Sequence, residues 1–211
     1  METQTESRAQ IRQSYMEYAL ENGKTPPSAY ILAKNLGMDD AGFYAEYHSL
    51  EAVEADIWLQ MFEQARQQTT SQEVYERYSV REKLLSFYYT WIEVLKANRS
   101  FVLFAAKQPR RRLQLTAAPF RRAFVAYAGE LINEGRNTGE VVNRALITDR
   151  YADGFWYQAT FLLRFWLRDS SPNFEQTDAA IEKAVNASFD FIGKSPFDSL
   201  FDFGKFMFQN R

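Results

Sequence analysis

Residues 28–53 read SAYILAKNLGMDDAGFYAEYHSLEAV, and this stretch decides the fold. Ser28 is placed to cap a short helix through Asn35. Leu36-Gly37-Met38 forms a tight turn, and Asp39 caps a second short helix that ends near Tyr47. Two short helices about a glycine turn make a helix-turn-helix. Before this stretch, Ile11, Tyr15, Tyr18 and Ala19 recur at helical spacing and predict a helix that stops at Asn22-Gly23. On the other side Ser49, Ala52, Val53, Ile57 and Phe62 predict a longer helix that fades in the polar stretch 67–72.

The remainder also reads as helix. Nine Gly and six Pro, without alternating runs bounded by turn residues, leave little room for sheet. Ser79 and Glu82 form a capping box for a helix to Ala97, and another runs from Arg99 to Gln108, where Pro109 ends it. The pattern then predicts a helix over 113–134 closed by Gly135, a loop over 136–141, a strongly aromatic helix over 147–168, a break at Asp169-Ser-Ser-Pro172 and a last helix over 173–192.

Composition narrows the functional classes. The 211 residues include 18 Phe, 12 Tyr and 4 Trp, enough to build an aromatic core. There is no Cys and one His, His48, so neither thiol chemistry nor a multi-histidine metal site is available. No glycine-rich phosphate loop, nucleophile elbow or metal-ligand spacing is present, and neither catalysis nor a cofactor is expected. The polar N-terminus lacks a secretory pattern and no stretch is long and apolar enough to span a bilayer, so a cytoplasmic protein is expected. Charge is uneven along the chain. Residues 1–60 hold four basic and ten acidic groups, a net of −6, and residues 61–211 hold 21 basic and 17 acidic, a net of +4.

The order of residues in 28–53 resembles the DNA-binding headpiece of the TetR family. Leu32-Ala33 stands at its Ile-Ala pair, Leu36-Gly37-Met38 at its Ala-Gly-Val, Phe43-Tyr44 and Tyr47 at its Leu-Tyr and Phe positions, and Ser49 and Glu51 at its Ser-Lys-Glu turn. The resemblance implies an all-α, TetR-like fold, with a three-helix headpiece over residues 1–50 and a helical-bundle ligand-binding and dimerisation body over 51–211. It further implies a homodimer that binds double-stranded DNA and is released by a small hydrophobic ligand. Asp40, Ala41 and Phe43 would meet base edges and Tyr44 and His48 phosphate, with Ser28 at the start of the helix-turn-helix. Phe43 and Tyr47 have packing as an alternative role. Two departures oppose DNA binding. Leu50 stands where the family has a phosphate-gripping Lys, and Asp39, Asp40 and Glu46 place negative charge on the surface that faces a polyanion.

In the body, Tyr88, Trp91, Phe104, Phe124, Tyr127, Trp156 and Phe161 are candidates for lining a ligand pocket, with plain core as the other reading. Arg164 would anchor an anionic head group or form an ion pair at the dimer interface. That interface would use the helices over 147–168 and 173–192. The string Leu167-Arg-Asp-Ser-Ser-Pro-Asn-Phe-Glu-Gln-Thr177 is similar to the helix break of the coenzyme Q biosynthesis accessory family, whose TetR-fold members bind lipid. That second resemblance implies a lipid or isoprenoid carrier without DNA binding. An amphipathic arc over 197–211 would then dock on the body or touch a membrane. Arg110, Arg111 and Arg112, with Lys107, Arg121 and Arg122, read as a solvated connector after Pro109, or as a contact for nucleic acid or acidic lipid.

Overall fold

The computed structural model describes residues 2–144 and 150–193, with side chains from residue 6 onward. The arc expected over 197–211 and the start of the helix expected over 147–168 lie outside the described residues. Every described element is helical: α1 (Glu2–Asn22), α2 (Ala29–Asn35), α3 (Asp40–Glu46), α4 (Leu50–Thr70), α5 (Val80–Ala97), α6 (Arg99–Ala106), α7 (Arg110–Thr138), α8 (Tyr151–Arg168) and α9 (Glu175–Ile192), with short 3-10 turns at Tyr75–Arg77 and Pro172–Phe174. The all-α class follows from the 3.6-residue periodicity of the apolar positions.

Two units pack mainly on themselves. Unit 1 comprises Met1–Gln67 and Trp91–Ala123, and unit 2 comprises Gln68–Thr90 and Phe124–Arg211. Residues 1–50 lie wholly within unit 1. Its core is built from Ile11, Tyr15 and Ala19 of α1, Leu32 and Ala33 of α2, Phe43 of α3, and Val53, Ile57 and Phe62 of α4, all buried. These are largely the positions that the sequence placed at helical spacing.

The helix-turn-helix closes as its residues dictate. Gly37 takes φ +67°, a left-handed conformation that a side chain would strain. The turn is tied by Met38 N–H donating to the Ala33 carbonyl at 3.0 Å. Asp39 caps α3 by accepting from the Gly42 N–H at 2.8 Å. Ser28 has the extended backbone of a cap residue, but its side chain makes no capping hydrogen bond.

Three expectations for the later helices are corrected. Gly135 does not end α7, which runs on to Thr138. Its missing side chain serves a close approach, because a Cβ there would lie 2.6 Å from Val141 Cγ2, and the Val141 N–H returns to the Gly135 carbonyl at 2.9 Å. At its other end α7 starts at Arg110, so Arg110–Arg112 form its first turn and are not a connecting loop. The Pro109 carbonyl accepts from the Leu113 N–H at 3.1 Å, so the proline starts this helix. The last helix starts at Glu175, since Asn173 and Phe174 take left-handed φ of 51° and 64°.

Candidate functional site

The outer surface of the helix-turn-helix is set by what α3 must bury. Phe43 is fully buried, with its ring edge-on to Tyr44 at 5.4 Å and tilted against Tyr47 at 6.3 Å. Its position is therefore core, and the expectation that it meets base edges is corrected. Asp40, Ala41 and His48 are exposed, as is Ser28, and the Tyr44 ring is 57% exposed. The candidate surface thus keeps five of its six expected residues outside, with a carboxylate at its leading edge.

Behind α3, Tyr47 anchors a polar cluster. Its hydroxyl donates to Asp56 Oδ2, and Arg12 Nη1 donates to the same oxygen at 2.8 Å. The Arg8 guanidinium lies 4.6 Å above the Tyr47 ring, a cation–π contact. Burial and the bond to Asp56 push the Tyr47 hydroxyl pKa up. Two of the four cations of residues 1–60 are thereby engaged with Tyr47 and Asp56.

A second cluster reaches deeper. Glu54 of α4 is fully buried, and Arg112 of α7 meets it, with Nε donating to Oε2 at 2.8 Å. Arg112 Nη1 donates to Glu51 Oε1 at 3.0 Å and Nη2 to the Tyr15 hydroxyl at 2.9 Å. That hydroxyl in turn donates to Glu54 Oε2 at 2.8 Å. The other carboxylate oxygen, Oε1, is buried without a hydrogen-bond partner among the described residues. Burial and the Glu54 charge push the Tyr15 pKa well above its ordinary value, so Tyr15 stays a neutral donor. Burial disfavours the Arg112 charge, but Tyr15 and Glu54 outweigh it and raise its pKa. The sequence reading missed Glu54 and Tyr15 as polar partners. The available signal was a carboxylate in register with Ile57, Trp58 and Met61 on the apolar face of α4.

Unit 2 holds four of the eight expected ligand residues in a packed core. Phe124 lies 5.8 Å from Phe87, 6.3 Å from Tyr88 and 5.9 Å from Trp156, ring centre to ring centre. Tyr127 packs on Phe87 at 5.1 Å, and its hydroxyl is 3.4 Å from that of Tyr75. The Tyr88 hydroxyl donates to the Phe155 carbonyl at 3.1 Å, and burial raises its pKa. Trp91 and Phe104 belong instead to unit 1, against Phe120 at 5.6 Å and Phe101 at 6.2 Å respectively. The eight candidates therefore do not form one group.

Phe161 and Arg164 lie outside the buried aromatic cluster. Phe161 is 53% exposed and Arg164 is exposed, so neither lines the buried cluster. They stand on the outer face of α8 with Tyr157, which is 69% exposed, and α9 adds Phe191 at 64%. The two helices are joined inside by Gln158 Nε2, which donates to the Ala184 carbonyl at 2.8 Å and to Ser188 Oγ at 2.7 Å. An open hollow of about 480 Å³ in unit 2, lined by Asn133, Arg136, Asn137, Val141 and Asn143, is too polar to suit an apolar ligand. Among the described residues no helix is long and apolar enough to cross a membrane, and no group of acidic or histidine side chains could hold a metal ion.

Comparison with known proteins agrees with this architecture. Residues 83–207, more than half of the chain, match the family described as tetracyclin repressor-like, C-terminal domain. A TetR transcriptional regulator from Nitrosomonas europaea superposes with a TM-score of 0.57 at 13% identity, over 86% of this chain and 97% of that one. A bacterial regulatory protein of the tetR family from Rhodococcus RHA1 gives 0.55 at 15% identity, over 90% and 98%. At such identities the likeness concerns the fold alone. No curated protein sequence matches the chain significantly. The body match, the helix-turn-helix about Gly37 and the superposition along nearly the whole of both solved chains lead to one conclusion: this chain belongs to the TetR family.

Proposed function

We propose that the protein is a cytoplasmic, non-enzymatic transcriptional regulator that binds duplex DNA as a homodimer and is released by a small apolar ligand. One observation carries the reading. The α2–turn–α3 unit buries Phe43 and Tyr47 and turns Asp40, Ala41, Tyr44 and His48 outward, the arrangement in which a recognition helix enters a major groove. Tyr44 and His48 contact phosphate, Asp40 and Ala41 face base edges, and Ser28 stands at the entry to the unit.

The dimer contact follows from the outer face of α8 and α9. Tyr157, Phe161 and Phe191 expose aromatic area that a second copy of the same face would bury, and an isologous contact of this kind closes as a dimer. Arg164 lies on that face. For the ligand, the cluster of Tyr88, Phe124, Tyr127 and Trp156 supplies the apolar surroundings. Because those rings are in contact, a ligand enters only by parting them, and that rearrangement couples binding to the headpieces.

The test is binding of the full-length protein to random-sequence duplex DNA at low salt, repeated with Leu50→Lys. Wild type is expected to bind, and Leu50→Lys to bind more tightly and with a steeper salt dependence. Absence of binding by both proteins at low salt overturns the regulator. Lipid co-purifying with the protein in that case identifies a carrier on the same fold.

A further inference from the structure

The helix-turn-helix carries one cation, Lys34, against Asp39, Asp40 and Glu46, and most of the positive charge of unit 1 lies elsewhere. Residues 1–67 carry five Lys and Arg against eleven acids, a net of −6, whereas residues 91–123 carry eight against Glu93 alone, a net of +7. Arg112 is consumed by Glu51 and Glu54. Lys107, Arg110, Arg111, Arg121 and Arg122 are exposed.

Four of these lie on one face of α7. Arg110 and Arg121 are eleven residues apart, as are Arg111 and Arg122. At 3.6 residues per turn that spacing is about three turns, so each pair aligns along the helix with roughly 16 Å between its members. Gln114 and Leu115 fill the space between them, and residues 110–123 contain no Asp or Glu. The buried side of α7 is occupied by Thr116 and Phe120. The start of the face is fixed beside the helix-turn-helix, because Arg112 holds Glu51 in the first turn of α4 at 3.0 Å.

We infer that this arginine face of α7 grips the phosphate backbone of duplex DNA and supplies the positive charge that the recognition helix lacks. The inference rests on the DNA-binding reading above. Guanidinium groups match phosphate oxygens as two-pronged donors, and four of them in two rows suit a regularly spaced polyanion. Anionic lipid offers the same phosphate, but a helix that lies on a membrane also inserts a broad apolar face. Here the outer face presents one large apolar side chain, Leu115 at 58% exposure, so duplex DNA is the better fit.

The experiment measures the salt dependence of affinity for a labelled random-sequence duplex, using full-length wild type, the triple variant R110Q/R111Q/R122Q and, separately, Tyr44→Phe. A thermal melt of the triple variant that matches wild type shows that its fold is kept. The expected result is a plot of log K against log salt that is shallower by about 5 in the triple variant, since each phosphate no longer neutralised lowers the slope by about 0.9 and the homodimer loses three arginines from each protomer. Affinity at low salt should fall at least tenfold. If wild type and Tyr44→Phe differ while the triple variant keeps the wild-type slope, the α7 face is overturned and the helix-turn-helix reading stands. If wild type binds no DNA even at low salt, both fall. A triple variant that keeps its DNA slope but no longer associates with phosphatidylglycerol vesicles assigns the face to a membrane and overturns the inference.

Discussion

At the centre of unit 1 a carboxylate, Glu54, lies fully buried under Arg112 and Tyr15, while comparable depth in unit 2 is filled by Phe87, Tyr88, Phe124 and Tyr127 in contact ring on ring. The two cores answer to different physics. Ring packing is only weakly directional, and its contribution scales with the area removed from water. The Glu54 cluster gains little net stability from burying an ion pair, but it is intolerant of losing one partner, because the other is left charged and dry. The polar core thus specifies how α1, α4 and α7 meet within unit 1, and the aromatic core provides bulk cohesion within unit 2.

Substitutions can break this contrast in order of expected effect. Phe124→Ala removes the ring that touches Phe87, Tyr88 and Trp156, and should cost about 3–5 kcal/mol in urea unfolding. Arg112→Ala should cost about 3 kcal/mol by stranding Glu54, although Arg112 makes no comparable apolar contribution. The sharper form of that test pairs Arg112→Met with Glu54→Leu. Most of the missing stability should return in the double variant, and a purely additive result would mean that the cluster does not act as a unit.

A pH titration separates the units further. In unit 2 the break between α8 and α9 is held by Asp169, which accepts from Ser171 N–H and Oγ at 2.8 and 2.6 Å and from Thr177 N–H and Oγ1 at 2.8 and 2.6 Å. Burial opposes its ionisation, but these four donors prevail and push its pKa down to about 2, from an ordinary value of 3.8. Its folded pKa being the lower one, the stability it contributes is present above the unfolded value and is lost as pH falls from about 4 towards 2. Asp169→Asn should flatten stability in that window, as followed by circular dichroism. Smallest of all, Asp39→Ala removes the cap of α3 in unit 1 and should cost about 1 kcal/mol of stability, read from the same unfolding curves.

Part of the molecule was legible before its structure. Ile11, Tyr15, Ala19, Val53 and Ile57 declared their buried faces by spacing, because a helix repeats its buried face every three or four residues, and Leu32, Ala33 and Tyr47 stood out through the resemblance to the TetR headpiece. The capping box at Ser79 was equally plain. Its Glu82 carboxylate accepts from both the Ser79 N–H and Oγ at 2.8 Å. Local chemistry of this kind requires no knowledge of what lies far along the chain.

The candidate site was legible only in part. Asp40, Ala41, Tyr44 and His48 are placed outward, as the family resemblance implied, but Phe43 was drawn inward because an aromatic ring gains more from burial than from water. The aromatic residues of the body announced themselves by composition, yet nothing in their spacing distinguished Tyr88, which is buried, from Phe161, which is half exposed.

The helical class, the turn at Gly37 and the acidity of residues 1–60 are written in the residues themselves, since periodicity, left-handed φ and charge are local properties. Only the tertiary structure decided that Gly135 serves the approach of Val141 within a continuing helix, and that Arg112 belongs to Glu54 and Tyr15. It likewise decided that Arg110, Arg111, Arg121 and Arg122 share one helical face. Glu54 and Arg112 are separated by 58 residues. A charge that far along the chain has no visible partner until the fold brings one within hydrogen-bond reach.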